Sequence, residues 1–345
     1  MAFQRFNPEN DVVENQRTTI SSGLWTGGSS TLTGFFTQSS NGNITGSVLE
    51  LYNVDPNTDT SAETQIAVGY ANIHGSGSAG NTTKLTTGGR QTAALYRQFR
   101  NVILAPNTDE FSFTGAPSSS DDFYFISFQR ARQREKIDPG NWELKLSGHM
   151  PALFKDDKIS LIDDSGATTN PTVNQGGRVF NVVSGSITNG IHTAAADETA
   201  GNMGAYGLFY PDLGIILLNA PKIEISGGLD VHDRAPDQHI SRSEAFFDSI
   251  VSGSSFTARR EEEISSTNYF VRVNNKNFNF SSNPTYTTAS DGSLTQPTYF
   301  KDPKTFITQV GLYNDDNELL AIAKLSKPIL KSYSREAIIK VKLDF

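Results

Sequence analysis

Near the end of the chain, Ile339, Val341, Leu343 and Phe345 alternate with Ile338, Lys340, Lys342 and Asp344. Successive side chains of an extended strand point to opposite faces, so this period-two pattern specifies a half-buried strand and opposes a helix. The pattern recurs along the chain. It appears in "SVLELYNV" (47–54), "TQIAVGYANI" (64–73), "EFSF" (110–113), "DFYFISFQRAR" (122–132) and "WELKLS" (142–147). It returns in the segment from 158, in "GRVFNVVSGSI" (177–187), in "TNYFVRVNN" (267–275) and in "FNFS" (278–281). "AYGLFYPDLGIILLNA" (205–220) predicts a hairpin around Pro211 and Asp212, and "TFITQVGLYNDDNELLAIAK" (305–324) predicts another. "DPGNW" (138–142) predicts a turn.

Two stretches carry helical spacing instead. In 91–104, Ala94, Leu95, Phe99 and Val102 share a face, and Ala105-Pro106 ends it. In 235–253, Ile240, Phe246, Phe247 and Ile250 share a face, with Pro236 near the start and Gly253 at the close. The expected fold is mainly β: antiparallel sheets or β-sandwich domains, two or so helices and an extended N-terminal arm. The expected division is an arm over 1–46, a β-rich domain with one helix over 47–150, a β-rich insertion or second domain over 151–220, and a helix with the C-terminal hairpin and final strand over 221–345.

Composition excludes several classes. The chain has no cysteine, which removes disulfides and thiolate metal sites. Its net charge of −8 supplies no basic face, so no nucleic-acid partner is expected. The most apolar stretch, "LGIILLNA" (213–220), is too short to span a bilayer, and "MAFQRFNPEND" lacks the apolar run of a signal peptide. Neither a membrane nor a secretion route is expected.

Candidate sites are few. Gly75, Gly77 and Gly80 match a dinucleotide-binding spacing, but no helix pattern opens directly after them, so no cofactor is expected. "DVHDRAPDQH" (230–239) brings together carboxylates with His232 and His239. Those histidines lie seven apart across a proline, which does not suit one helix face, so a capping loop is favoured over a metal site. The doublets Asp121-Asp122, Asp156-Asp157, Asp163-Asp164 and Asp315-Asp316 stand beside turn residues, where Asp bonds its own backbone. No catalytic constellation is visible. Arg130, Arg132, Arg134 and Lys136 form the densest basic run; on a strand they would line one face and meet another subunit. Trp25, Leu32, Phe35 and Phe36 sit among Gly and Ser in the arm, either lying on their own domain or docking on a neighbour.

The 305–328 hairpin resembles one found in structural proteins of contractile-tailed phages. The resemblance lies in Gly311, Leu312 and Tyr313 on the outgoing strand, Leu319 to Leu325 on the return, and Pro328 after it. "LYRQFRNVILAP", "RARQREKIDPGNWELKLS" and "YGLFYPDLGIILLNA" are similar in style to virion proteins of large myoviruses, the cyanophage type especially. That resemblance implies a non-enzymatic component of a contractile tail, in the baseplate or neck region. It implies a virion location after assembly in the host cytoplasm, with other virion proteins and copies of the same chain as partners. In that reading the partner-facing residues are Trp25, Phe35, Phe36, Arg130, Arg132, Arg134, Val341, Leu343 and Phe345. Two alternatives stand beside it. One is a receptor- or glycan-binding fibre module with an exposed aromatic cluster around Tyr286 and Tyr299. The other is a cell-wall glycan hydrolase, which needs two carboxylates about 5–10 Å apart across one groove.

Overall fold

A computed structural model describes residues 4–37, 48–75, 89–114, 119–148, 158–167, 171–191, 205–226, 229, 239–288 and 291–344. The fold is mainly β and its strand pairs are antiparallel, as the alternation predicts. By internal packing the chain divides into a larger unit, Ile20–Glu262, and a smaller one that joins Met1–Thr19 to Glu263–Phe345. This division differs from the four segments expected from sequence. The reason is long-range pairing, which composition along the chain does not reveal.

The chain opens with one helical turn, α1 (Pro8–Asp11), and β1 (Val12–Gly23). The larger unit continues with β2 (Thr31–Leu32), β3 (Val48–Tyr52), β4 (Thr64–Asn72) and α2 (Gly89–Ile103). Then come β5 (Asp122–Phe128), α3 (Arg130–Gln133), β6 (Lys136–Ser147) and β7 (Lys158–Asp163). β8 (Thr172–Asn174), β9 (Gly177–Ser186), β10 (Gly190–Ile191), β11 (Gly207–Tyr210) and β12 (Ile215–Asn219) follow. The unit closes with α4 (Ala220–Ser226), α5 (His239–Gly253) and the first part of β13 (Phe256–Val273). The smaller unit holds the rest of β13, then β14 (Thr305–Tyr313), β15 (Leu319–Lys331) and β16 (Ala337–Asp344).

The larger unit's sheet runs β13-β6-β7-β9-β11-β12-β5-β4-β3, and β2 also pairs with β13. β5 shows why its sequence is so apolar. Tyr124, Ile126 and Phe128 enter one core with Phe246 and Ile250 of α5, while Phe123 and Phe125 enter a second with Tyr96 and Ile103 of α2. A strand buried on both faces reads as a near-continuous apolar run. The sheet also curls. The Phe128 ring on β5 lies 5.6 Å from Phe256 on β13, far away in strand order, and Trp142 lies 5.3 Å from Phe209.

Several expected elements differ. The segment before residue 38 is not a strand-poor arm, for β1 is twelve residues long. "EFSF" contributes a single bridge at Phe111, and "FNFS" forms no strand. Residues 138–142 lie within β6 and do not end it. Gly140 adopts φ 79°, and the buried Asp163 carboxylate accepts the Gly140 N–H at 2.8 Å and the Ser165 N–H at 2.9 Å. Asp163 thus ties the irregular point of β6 to the end of β7. The strand expected over 122–132 stops at Phe128, and α3 follows, so the basic run does not alternate along one strand. α4 was not legible because Ile223 and Ile225 alternate as a strand would, although Pro221 suits a first helical turn.

α5 ends against β6. A Cβ built on Gly253 would lie 1.9 Å from the Lys145 carbonyl oxygen, which is backbone and cannot swing aside. Gly253→Ala is therefore expected to destabilise the larger unit by about 1–3 kcal/mol, the usual range for overpacking. Urea unfolding of the variant would show it as a lower midpoint with an unchanged slope.

Candidate functional site

Two places carry most of the unusual chemistry, one in each unit. In the smaller unit, β16 pairs with β13 from Ser266–Asp344 to Val273–Ala337. Ile339 and Val341 turn inward, as their alternation predicts, and join Val273 and Leu312 in a core. Ile307, Val310, Ala321, Ala323, Leu325 and Ile329 pack one face of the β14–β15 hairpin against it. The solvent side carries large apolar side chains among polar ones: Phe306 is 63% exposed, Leu320 69% and Ile322 58%, beside exposed Thr308, Gln309 and Lys324. A two-stranded sheet normally keeps one polar face, so this surface is unusual for a monomer.

The hairpin turn is built from its own side chains. The Glu318 N–H donates to Asn314 Oδ1 at 2.7 Å, and Asn317 takes the left-handed conformation that Asn tolerates. At the far end, Lys331 is buried and donates to Asn275 O, Asn279 Oδ1 and Ser332 O at 2.9–3.0 Å. Burial pulls its pKa down. Its three donors are used by neutral acceptors, so it holds the 275–279 segment in place.

The strand register is asymmetric. Ile307 pairs with Ile329 and Gln309 with Lys324, so Leu325 to Pro328 bulge from β15 opposite Thr308. Leu312 pairs with Ala321 and Tyr313 with Leu319, so Leu320 is also an extra residue on β15. β15 carries both bulges, Pro328, Lys324 and Lys327, whereas β14 carries no charge and no proline.

In the larger unit a polar cluster lies among apolar side chains. The Tyr70 hydroxyl donates to Asp122 Oδ2 at 2.6 Å and accepts from Asn72 Nδ2 at 3.0 Å. The Tyr124 hydroxyl donates to Glu224 Oε1 at 2.8 Å. Arg242 of α5 is ion-paired with Glu224 of α4, and its guanidinium carbon lies 5.2 Å from the centre of the Tyr70 ring. The Tyr70 N–H donates to Ser243 Oγ at 3.2 Å. Burial pushes the Asp122 and Glu224 carboxyls above the ordinary range, against the pull of their hydrogen bonds and of Arg242. Burial works to lower Arg242, but the surrounding tyrosines and carboxylates outweigh it and hold the guanidinium charged. The cluster joins α4 and α5 to β4 and β5, with Arg242 Nε its one buried polar atom lacking a hydrogen-bond partner among the described residues.

A carboxyl with a raised folded pKa binds its proton more tightly when folded. Stability then falls as pH rises from the ordinary carboxylate range through the raised value. Asp122→Asn removes that residue's share of the dependence, while Glu224 keeps its own. The variant is expected to lose less stability than the parent across that window, and chemical denaturation at a series of pH values measures the difference. Parallel curves would contradict the assignment.

The expected partner-facing residues are placed as follows. Trp25 is 1% exposed and packs at tilted angles against Phe128 and Phe256, and Phe35 shares the same core. Both are interior side chains of their own unit and not contacts for a neighbour; Phe36 alone of the three is exposed. Arg132 is ion-paired with Glu63, Arg134 with Glu262 at 3.0 Å and Lys136 with Glu261 at 3.3 Å, so the basic run is matched within the chain. Arg130 is exposed on α3. Val341 is buried and Leu343 half-buried in the smaller unit's core. Phe345 lies outside the described residues, as do Gly77, Gly80 and His232; the His239 side chain does too. Among the described residues no group of three or more His, Asp or Glu side chains forms a metal site, and no helix is long and apolar enough to cross a membrane.

No family model, curated protein or solved structure matches this chain.

Proposed function

We propose that the chain is a non-enzymatic structural component of a phage virion, in the baseplate or neck region of a contractile tail. It works through contacts with other virion proteins and with copies of itself. The observation that carries this reading is the hairpin of the smaller unit, one face packed in the core and the other turning Phe306, Leu320 and Ile322 to solvent. Assembly buries such a surface and stabilises each part through mass action. The resemblance of residues 305–328 to a hairpin of contractile-tail proteins supplies the setting. Mass spectrometry of purified particles of the encoding phage, with electron microscopy, is expected to find the chain in the tail. Its absence from mature particles would refute the reading.

One observation favours a second reading, a glycan-recognising fibre module. Tyr286 and Tyr299 stack at 5.2 Å with 19° between their planes, and Phe280 meets Tyr286 edge-on at 5.6 Å. Tyr286 itself is buried at 7% exposure, while Phe280 is 67% exposed and Phe300, next to Tyr299 in sequence, 84%. Sugars dock on aromatic surfaces of this kind through their apolar faces. A glycan array probed with the full chain and with Phe300→Ala tests it: a specific signal lost in the variant supports this module, and a blank array removes it.

A further inference from the structure

We infer that a second copy of this chain pairs with the free edge of β14, antiparallel, about a twofold axis between Thr308 and Gln309. The inference rests on the assembly reading above and deepens it by naming the partner.

Three observations point to β14 and to a copy of itself. First, edges that stay unpaired are blunted by charge, proline and bulges. β15 has all three; β14 has neither charge nor proline, and its one irregularity is the register break at Thr308. Among the described residues, β14 pairs with no strand but β15. Its edge is the one left able to accept an added strand.

Second, the burial phase of β14 reverses at its midpoint. Thr305 and Ile307 face inward before it; Val310 and Leu312 face inward after it. Phe306 and Gly311 are the exposed counterparts. In an antiparallel pair, residues directly opposite share a face. A twofold axis between Thr308 and Gln309 sets Thr305 against Leu312, Ile307 against Val310 and Phe306 against Gly311. Inward meets inward and outward meets outward along the strand.

Third, the charges that bracket β14 are self-complementary. Exposed Lys301, Asp302 and Lys304 precede it, net positive although Lys304 is ion-paired with Asp302 at 3.2 Å, and exposed Asp315, Asp316 and Glu318 follow it. An antiparallel copy brings each end beside its opposite, while a parallel copy sets like against like. Isologous contacts have this reciprocity.

The test uses the full chain in solution. Sedimentation is expected to show a monomer–dimer equilibrium. Asp315→Lys with Asp316→Lys is expected to weaken the dimer at least about tenfold, as is Lys301→Glu with Lys304→Glu; all four changes together restore it. These positions are exposed, and an unchanged melting temperature confirms that each variant folds. The absence of native cysteine gives a second measurement. Oxidising a mixture of Thr308→Cys and Gln309→Cys proteins is expected to yield a disulfide-linked dimer, and Lys327→Cys on the β15 side is expected to yield none. A monomer at high micromolar concentration overturns the pairing, as does a dimer indifferent to the charge reversals. Either result leaves the virion reading to be judged on particle content, so the two fail separately.

Discussion

Arg242→Ala is expected to destabilise the larger unit by about 3–5 kcal/mol, the usual result of removing one partner from a buried ion pair. Arg242 is the cation of the α4–α5 cluster. It is paired with Glu224 and lies against the Tyr70 ring. Without it, Glu224 and Asp122 remain enclosed, and burial already raises both. Each carboxyl would then be pushed further toward its neutral form. The variant should gain stability relative to the parent as pH falls, because protonation removes the unpaired charge. A double-mutant cycle with Glu224→Gln isolates the interaction. The double variant should lose less than the sum of the single losses, by about 0.5–3 kcal/mol. Strict additivity would mean that the two side chains do not act together.

Trp25→Ala is expected to cost a similar amount, about 3–5 kcal/mol, the range for a large aromatic removed from a core. The indole lies 5.1 Å from Phe256 and 6.1 Å from Phe128, where the curled sheet brings β13 and β5 together. This variant separates two roles. An interior Trp25 lowers the unfolding midpoint of the isolated chain. A Trp25 docked on another subunit would leave that midpoint unchanged and weaken assembly alone. Differential scanning calorimetry at two protein concentrations distinguishes them.

The elements readable from sequence are those with a regular apolar period or an apolar run bounded by turn residues. β16, the β14–β15 hairpin and the β11–β12 hairpin lie where alternation and turn residues set them, and α2 and α5 where the 3.6-residue period does, although in α2 the expected face member Val102 is 51% exposed while Ala93, Tyr96 and Ile103 are buried. Three kinds of feature were not readable. Tertiary closure was one: Trp25 looks like an arm residue among Gly and Ser until β13 and β5 are known to meet. Local competition was another: residues 130–133 alternate charge as a strand would, yet turn once as α3. Long-range charge matching was the third. Arg132 and Arg134 find Glu63 and Glu262, remote in sequence, and no spacing rule links them. The Tyr70–Asp122–Arg242–Glu224–Tyr124 cluster likewise gathers four segments. Its only local sign was the Asp121-Asp122 doublet, which turn chemistry also explains.

The smaller unit draws on both the opening residues and those beyond 262. During synthesis the larger unit's strands emerge in an unbroken run, while β1 waits for the second half of β13, then β14 to β16. The surface read here as the assembly face therefore matures last. A chain stalled or cleaved before residue 305 would carry the main core yet offer nothing to dock. Under the assembly proposed above, incomplete copies would be left out without any separate proofreading step.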